Sequence, residues 1–322
     1  MRLSQFLFLT GLSLSSEASY GLACSVSQVQ AVNFGTVDPL SATDVTAAMT
    51  FNYTCSRSVT DLLAGVTLCF NIGSSSVSGQ VNSRKMSLSG APASFLDYQL
   101  YQDPGYNTVW GSQYQAGTTS SKVKLNFLGV IPVMGSQTIY ARIPASQISA
   151  APGSYQDNYS SVNASVTLNT GLVIPPVTCG TTAGPTFPFT VLVTLAKQCK
   201  VSYANNINLG TVDPTQANIS ANNTIGVTCT NNTPYTIGLI PSNSNTSGSG
   251  MMNGSNWNSN QVPYQLRAEP GLSGSPWGNT KLNNISGIGS GSTVTKTVYV
   301  TIPGANYIPD TYADTVTVNV SY

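Results

Sequence analysis

The chain has 322 residues, of which only 7% are charged, with no histidine and a formal net charge of +1. Without histidine no Ser-His-Asp or Cys-His arrangement can form, and a near-zero net charge leaves no basic footprint for nucleic acid. Disorder is also disfavoured at such low charge, and roughly 300 residues after a leader predict two domains.

The chain opens with Met1-Arg2 and an apolar run from Leu3 to Leu14, followed by small residues at Ser16-Glu17-Ala18 and Gly21-Leu22-Ala23. Residues 1–23 therefore read as a secretory signal peptide. Gly21-Leu22-Ala23-Cys24 also has the outline of a lipoprotein box, against which its leading glycine counts. The apolar run is too short to span a membrane, and no later stretch approaches about 20 apolar residues. The mature chain is expected to be exported.

From Cys24 onward, valine and threonine alternate between Gly, Pro and Asn turns, which predicts an all-β fold. The chain also repeats itself. Cys24 to Gly35 spans the same distance as Cys199 to Gly210, and Phe34-Gly35-Thr36-Val37-Asp38-Pro39 is echoed by Leu209-Gly210-Thr211-Val212-Asp213-Pro214. Valine-rich stretches then lead to Cys55 and Cys229. Tyr98-Gln99-Leu100 with Trp110-Gly111 matches Tyr264-Gln265-Leu266 with Trp277-Gly278. Ile139 to Pro144 matches Val298 to Pro303, and Tyr155-Gln156-Asp157 matches Tyr312-Ala313-Asp314. So many anchors in one order predict two copies of one β-sandwich, residues 24–198 and 199–322.

Six cysteines in an exported chain suggest three disulfides. The repeat implies Cys24–Cys55 and Cys199–Cys229 and leaves Cys69 and Cys179 for each other; free core thiols are the alternative. No Cys-x-x-Cys is present, so neither a metal nor a redox cofactor is expected.

The Cys-to-Gly-Thr-Val spacing, Tyr-Gln-Leu with Trp-Gly, and the closing Tyr312-Ala313-Asp314-Thr315-Val316-Thr317-Val318-Asn319-Val320-Ser321-Tyr322 resemble the spore coat U domain. That domain is the subunit fold of archaic, Csu-type chaperone–usher pili. The resemblance implies immunoglobulin-like sandwiches that lack a last strand, which a neighbouring subunit supplies. Its implied partners are a periplasmic pilus chaperone, an outer-membrane usher and the next pilus subunit. Two tandem copies resemble a tip adhesin rather than a shaft subunit.

Between the copies lies Thr186 to Leu195. Phe187, Phe189, Val191, Val193 and Leu195 share one parity, so an extended strand points them all to one face. We expect this to be the closing strand of the first copy; an ordinary edge strand of either domain is the alternative. The second copy ends on Val316, Val318, Val320 and Tyr322, again on one face. These are expected to form an unpaired acceptor edge over an open core, for a donor strand or the chaperone. An ordinary final strand in a complete domain is the alternative. Few residues precede Cys24 after the leader, so the chain is expected to receive a strand and to have none to give.

Three stretches of the first copy are apolar where turns are normally polar. They are Val59 to Gly65 with Leu62 and Leu63, Gly129 to Gly135 with Val130, Ile131, Pro132, Val133 and Met134, and Gly171 to Cys179 with Leu172, Val173 and Ile174. The matching stretches of the second copy, Thr230 to Pro234 and Gly287 to Ser292, are polar or glycine-rich. A closing strand running toward Cys199 places the apolar loops at the far end, where they predict insertion into hydrophobic surfaces and attachment in biofilms. Inward folding of these runs is the alternative.

Rival functions leave weaker traces. An enzyme is not expected, Asp97 and Asp103 being one carboxylate pair open to glycosidase chemistry. A lectin-type adhesin would use Trp110, Tyr106, Asn107 and Tyr114, although Trp277 repeats the first of these as a core position would. A coat protein without a pilus would need no missing strand.

Overall fold

A computed structural model describes residues 21–59, 65–90, 93–255 and 257–322. Most of the signal segment 1–23, together with Leu62 and Leu63, lies outside the described residues. β-Branched side chains fit a pleated surface better than a helix, and every regular element among the described residues is a strand.

The first domain contains β1 (Ala23–Ser27), β2 (Val32–Val37), β3 (Val45–Ser56), β4 (Gly65–Ile72), β5 (Arg84–Leu88) and β6 (Phe95–Tyr101). It continues with β7 (Ser121–Asn126), β8 (Val133–Ile143), β9 (Gly153–Tyr159), β10 (Ala164–Gly171), β11 (Thr182–Thr186) and β12 (Phe189–Leu195). They form one sheet of order β1-β3-β8-β6-β5-β9-β12-β2 and a second of order β11-β10-β4-β7. The core between them includes Phe51, Phe70 and Phe187, with the Phe187 ring 4.9 Å from Phe51 and 6.0 Å from Phe70.

β4 lacks alternation, being buried along its whole length. Val66, Leu68, Phe70 and Ile72 face the core. On its other face, Asn71 receives the Gln113 backbone N–H at 3.0 Å, and Cys69 is bridged to Cys179. Segments around residues 113 and 179 thus roof that face. The other two disulfides, Cys24–Cys55 and Cys199–Cys229, each join directly opposed residues of neighbouring strands.

β9–β10 and β11–β12 make one long antiparallel ribbon that passes from one sheet to the other. β12 pairs with β9, Phe189 opposite Tyr159 and Leu195 opposite Gly153, while β11 pairs with β10, Thr186 opposite Ser165. Phe187-Pro188 is the crossing point, with the Phe187 N–H donating to the Ala164 carbonyl at 2.9 Å. Proline has no N–H to give a ladder, so the strand breaks there and resumes in the other sheet. The closing strand is thus two strands joined by a step. On its far side β12 pairs in parallel with β2, Val191 opposite Val32 and Leu195 opposite Val37.

The second domain contains β13 (Cys199–Ala204), β14 (Ala217–Cys229), β15 (Pro234–Pro241), β16 (Ser249–Gly254) and β17 (Gln261–Arg267). It ends with β18 (Ile285–Ile288), β19 (Thr293–Gly304), β20 (Tyr312–Ala313) and β21 (Val316–Ser321). Its sheets have the orders β13-β14-β19-β17-β16-β20 and β18-β15-β21. The two tryptophans mark the equivalence: Trp110 donates to the Phe70 carbonyl at 2.8 Å and Trp277 to the Ile237 carbonyl at 2.9 Å.

One matched stretch differs. Gly35 and Gly210 share a left-handed φ, +71° and +75°, and each N–H donates to the asparagine two residues before it, at 2.8 Å. Yet Val32–Val37 is a strand and residues 207–212 are not. The local conformation is the same; only the first copy has a β12 to pair with. Where the domains meet, the Asn231 side-chain amide donates to the Ser149 carbonyl at 2.7 Å.

Candidate functional site

The apolar loops of the first domain converge because of strand register. Gly65 opposes both Gly171 and Asn126, and Cys55 opposes Val133, so the ends of β3, β7 and β10 and the starts of β4 and β8 share one end. The Arg57 guanidinium ties two of the loops together, donating to the Gly129 carbonyl at 2.6 Å. Leu195 and the domain junction lie at the other end of the ribbon.

At this tip Ile131 is 69% exposed, Met134 74% and Ile174 76%. Val59, Leu128, Val130, Pro132, Leu172, Val173 and Val177 are exposed as well. Two residues of the apolar runs do not fit a free tip. Val133 belongs to β8 and packs partly on the core, because strand parity sends it inward while Met134 points out. Pro175 is buried. Residues 171–179 are held from behind by the Cys69–Cys179 bridge, by Asn169 donating to the Thr178 carbonyl at 2.9 Å, and by Thr67 donating to the Pro176 carbonyl.

The second element is a groove of about 810 Å³ in the second domain. Its floor includes Ile219, Ile225, Leu239, Val262, Leu266, Val298, Val300 and Ile302, the core of that domain. In the first domain the corresponding space is filled. Phe187, Phe189, Val191, Val193 and Leu195 are all buried there.

The rim of this groove extends beyond the expected acceptor edge, which stands at the unpaired side of β21. The ladder partners of β12 are β9 and β2, so the equivalent rims in the second domain are Tyr312–Asp314 and residues 207–212. Val316 to Tyr322 takes the place of β10, whose neighbour is β11. Of the four edge residues, Val316 and Val318 line the groove and Val320 packs on the core. Tyr322 is exposed, its hydroxyl 3.3 Å from the Gln198 side-chain carbonyl. The cause is the ribbon's change of sheet, which sequence parity does not reveal.

Two polar residues also line the groove. The Tyr264 hydroxyl donates to Asp314 Oδ2 at 2.6 Å, and burial, reinforced by that carboxylate, pushes the tyrosine pKa up. Neither stood out as a site residue, although Tyr312-Ala313-Asp314 is a repeat anchor.

Of the sugar-stacking candidates, Trp110 is fully buried with its N–H satisfied. Tyr106 packs edge-on against Tyr101 under Arg142, and Asn107 is bonded to Asp103. Only Tyr114 is an exposed large ring.

Two sandwiches in tandem, one filled by its own strand and one grooved, define a class of two-domain β-sandwich proteins. The chain belongs to the spore coat protein U domain family, whose domain matches residues 10–160 and again 185–319. Comparison with curated protein sequences gives no match. The structure is similar to one in the CsuC–CsuE chaperone–tip adhesion subunit pre-assembly complex from the archaic chaperone–usher Csu pili of Acinetobacter baumannii. The identity is 18% and the TM-score 0.53, over 93% of this chain and 100% of that one. It is more distantly similar to the CupB6 tip adhesin of Pseudomonas aeruginosa, at 11% identity and a TM-score of 0.38 over 94% of each chain. At 18% identity the first likeness establishes a shared fold.

Proposed function

We propose that this chain is the adhesive tip subunit of a chaperone–usher pilus, exported through the periplasm to the cell surface. Its first domain attaches to hydrophobic surfaces and supports biofilm formation. Its second domain holds it to the pilus by accepting a strand. The reading rests on one observation above all: the exposed apolar tips lie at the end of the first domain opposite its junction with the grooved second domain.

A surface patch of this kind is unusual unless it meets a partner. Burying roughly 300–600 Å² at about 25 cal/mol/Å² favours attachment by several kcal/mol before ordering costs. The bridge and hydrogen bonds behind residues 171–179 keep those costs low, and many pili on one cell multiply the effect. Among the described residues the sugar-stacking candidates form no array at the tip, since Trp110 is core.

The filled groove supports the second half of the reading. The second family match begins at residue 185, ahead of Cys199, and so takes in the closing strand. A segment that precedes one unit and completes the one before it is strand donation within a single chain. The second domain then needs the same service from a chaperone during export and from the next subunit, delivered by the usher, in the pilus. No cofactor or catalytic group enters this scheme.

The test replaces Ile131, Met134, Val173 and Ile174 together by serine. Attachment to plastic should fall to background while pilus assembly continues. Unchanged attachment would refute the adhesive tip. Sugar inhibition of attachment would replace it with a lectin.

A further inference from the structure

The two domains treat one acidic position differently. In the first, Asp157 lies under the closing strand and is only 1% exposed. Three donors surround its carboxylate: the Ser76 N–H at 2.9 Å, the Ser76 hydroxyl at 2.6 Å and the Tyr98 hydroxyl at 2.5 Å. A carboxylate can be buried when its lone pairs are met in this way. Val191, directly opposite Asp157 in β12, has nothing polar to supply.

The second domain keeps the acid and the tyrosine but not the serine. Asp314 accepts from the Tyr264 hydroxyl at 2.6 Å and from the N–H of its neighbour Thr315 at 2.7 Å. Among the described residues, no donor from the connection between β15 and β16 reaches it. Gly250 stands opposite Tyr264 where Arg84 stands opposite Tyr98, so the second domain also lacks the buried cation of the first. While the groove is open, water can meet the remaining lone pairs of Asp314. A strand that seals the groove removes that water.

We propose that the strand completing the second domain comes from another polypeptide and carries a side-chain hydrogen-bond donor facing Asp314, with apolar side chains on either side. This rests on reading the groove as a strand acceptor. The donor occupies the position that Val191 holds in β12, because opposed residues on one face of an antiparallel pair are side-chain neighbours. The same requirement rejects wrong partners. An all-apolar strand such as this chain's own Phe189–Leu195 would fill the groove and leave a carboxylate short of donors, which disfavours copies of the chain completing one another.

The experiment titrates the full mature chain with a peptide spanning Thr186–Ala196 and with the same peptide carrying Val191→Thr. That change puts a hydroxyl in place of a methyl with little change of shape. The threonine peptide should bind about tenfold more tightly, as expected for a hydrogen bond to a charged group. The preference should vanish in an Asp314→Ala chain, although the comparison on the unaltered chain decides the matter even if that variant misfolds. Equal affinities would overturn the donor requirement and leave the acceptor groove standing. Failure of both peptides to bind would overturn the groove reading and the proposal with it.

Discussion

The first domain and the second share their strands, their tryptophan anchor and their Gly-Thr-Val turn, and they differ by one ribbon arm. In the first, β11 and β12 complete both sheets, bury Phe187 to Leu195 and give β2 a partner. In the second, the matching core lies under an open groove and residues 207–212 stay out of the ladder. A strand is thus a property of a pair, and closely matched residues form one or not according to what lies beside them.

The comparison can be broken most severely at β12. Val193→Asp should place a charge in a dry core and cost several kcal/mol, unfolding the first domain; Val318→Asp, in the lining of the open groove, should cost much less. Thermal unfolding of the two variants measures the contrast, and equal losses would show that the filled core and the open groove do not differ in this way. Next in size is the bridge across the roof of β4. Replacing Cys69 and Cys179 together by serine should cost about 2–4 kcal/mol, read as a lower Tm, and should also weaken attachment by loosening residues 171–179.

Alkaline pH sharpens the contrast in a different way. Tyr98 and Tyr159 are bonded to each other at 2.8 Å in the sealed core, and burial pushes both hydroxyls above the usual value near 10. The folded state therefore keeps protons that the unfolded chain releases. Their contribution to stability is complete below about pH 10 and is lost as pH rises beyond it. A tyrosinate absorbance titration should show these groups ionising only when the first domain unfolds. The smallest expected change lies at the tip, where Ile174→Ser should alter stability by no more than about 0.5 kcal/mol because the side chain is already in water.

Much of the fold could be read from the chain because its signals are local or repeated. Alternating valine and threonine specify strands, and the repeat specifies two units. Parity along Phe187 to Leu195 identifies a face, but not the partners of that face. The step at Pro188, which sends the strand from one sheet to the other, adds Tyr312–Asp314 and residues 207–212 to a groove that Val316 and Val318 also line, and strand parity alone did not reveal them. The burial of β4 on both sides also had no local signal, since its cover comes from residues near 113 and 179. At the tip, apolar composition marked the loops, while alternation within β8 separated the inward Val133 from the outward Met134. Asp314 escaped notice because its meaning lies in what it lacks relative to Asp157.

The parallel pairing of β2 with β12 has a kinetic consequence. The second strand of the first domain cannot find its permanent neighbour until the domain's last strand has been made, so contact order is high and closure is slow. A nascent chain halted before Phe189 would present a vacancy like the one the second domain retains, with its oily interior open to every other unfinished chain nearby. The first half thus needs cover only until Phe189–Leu195 is made, whereas the groove of the second stays open in the finished chain.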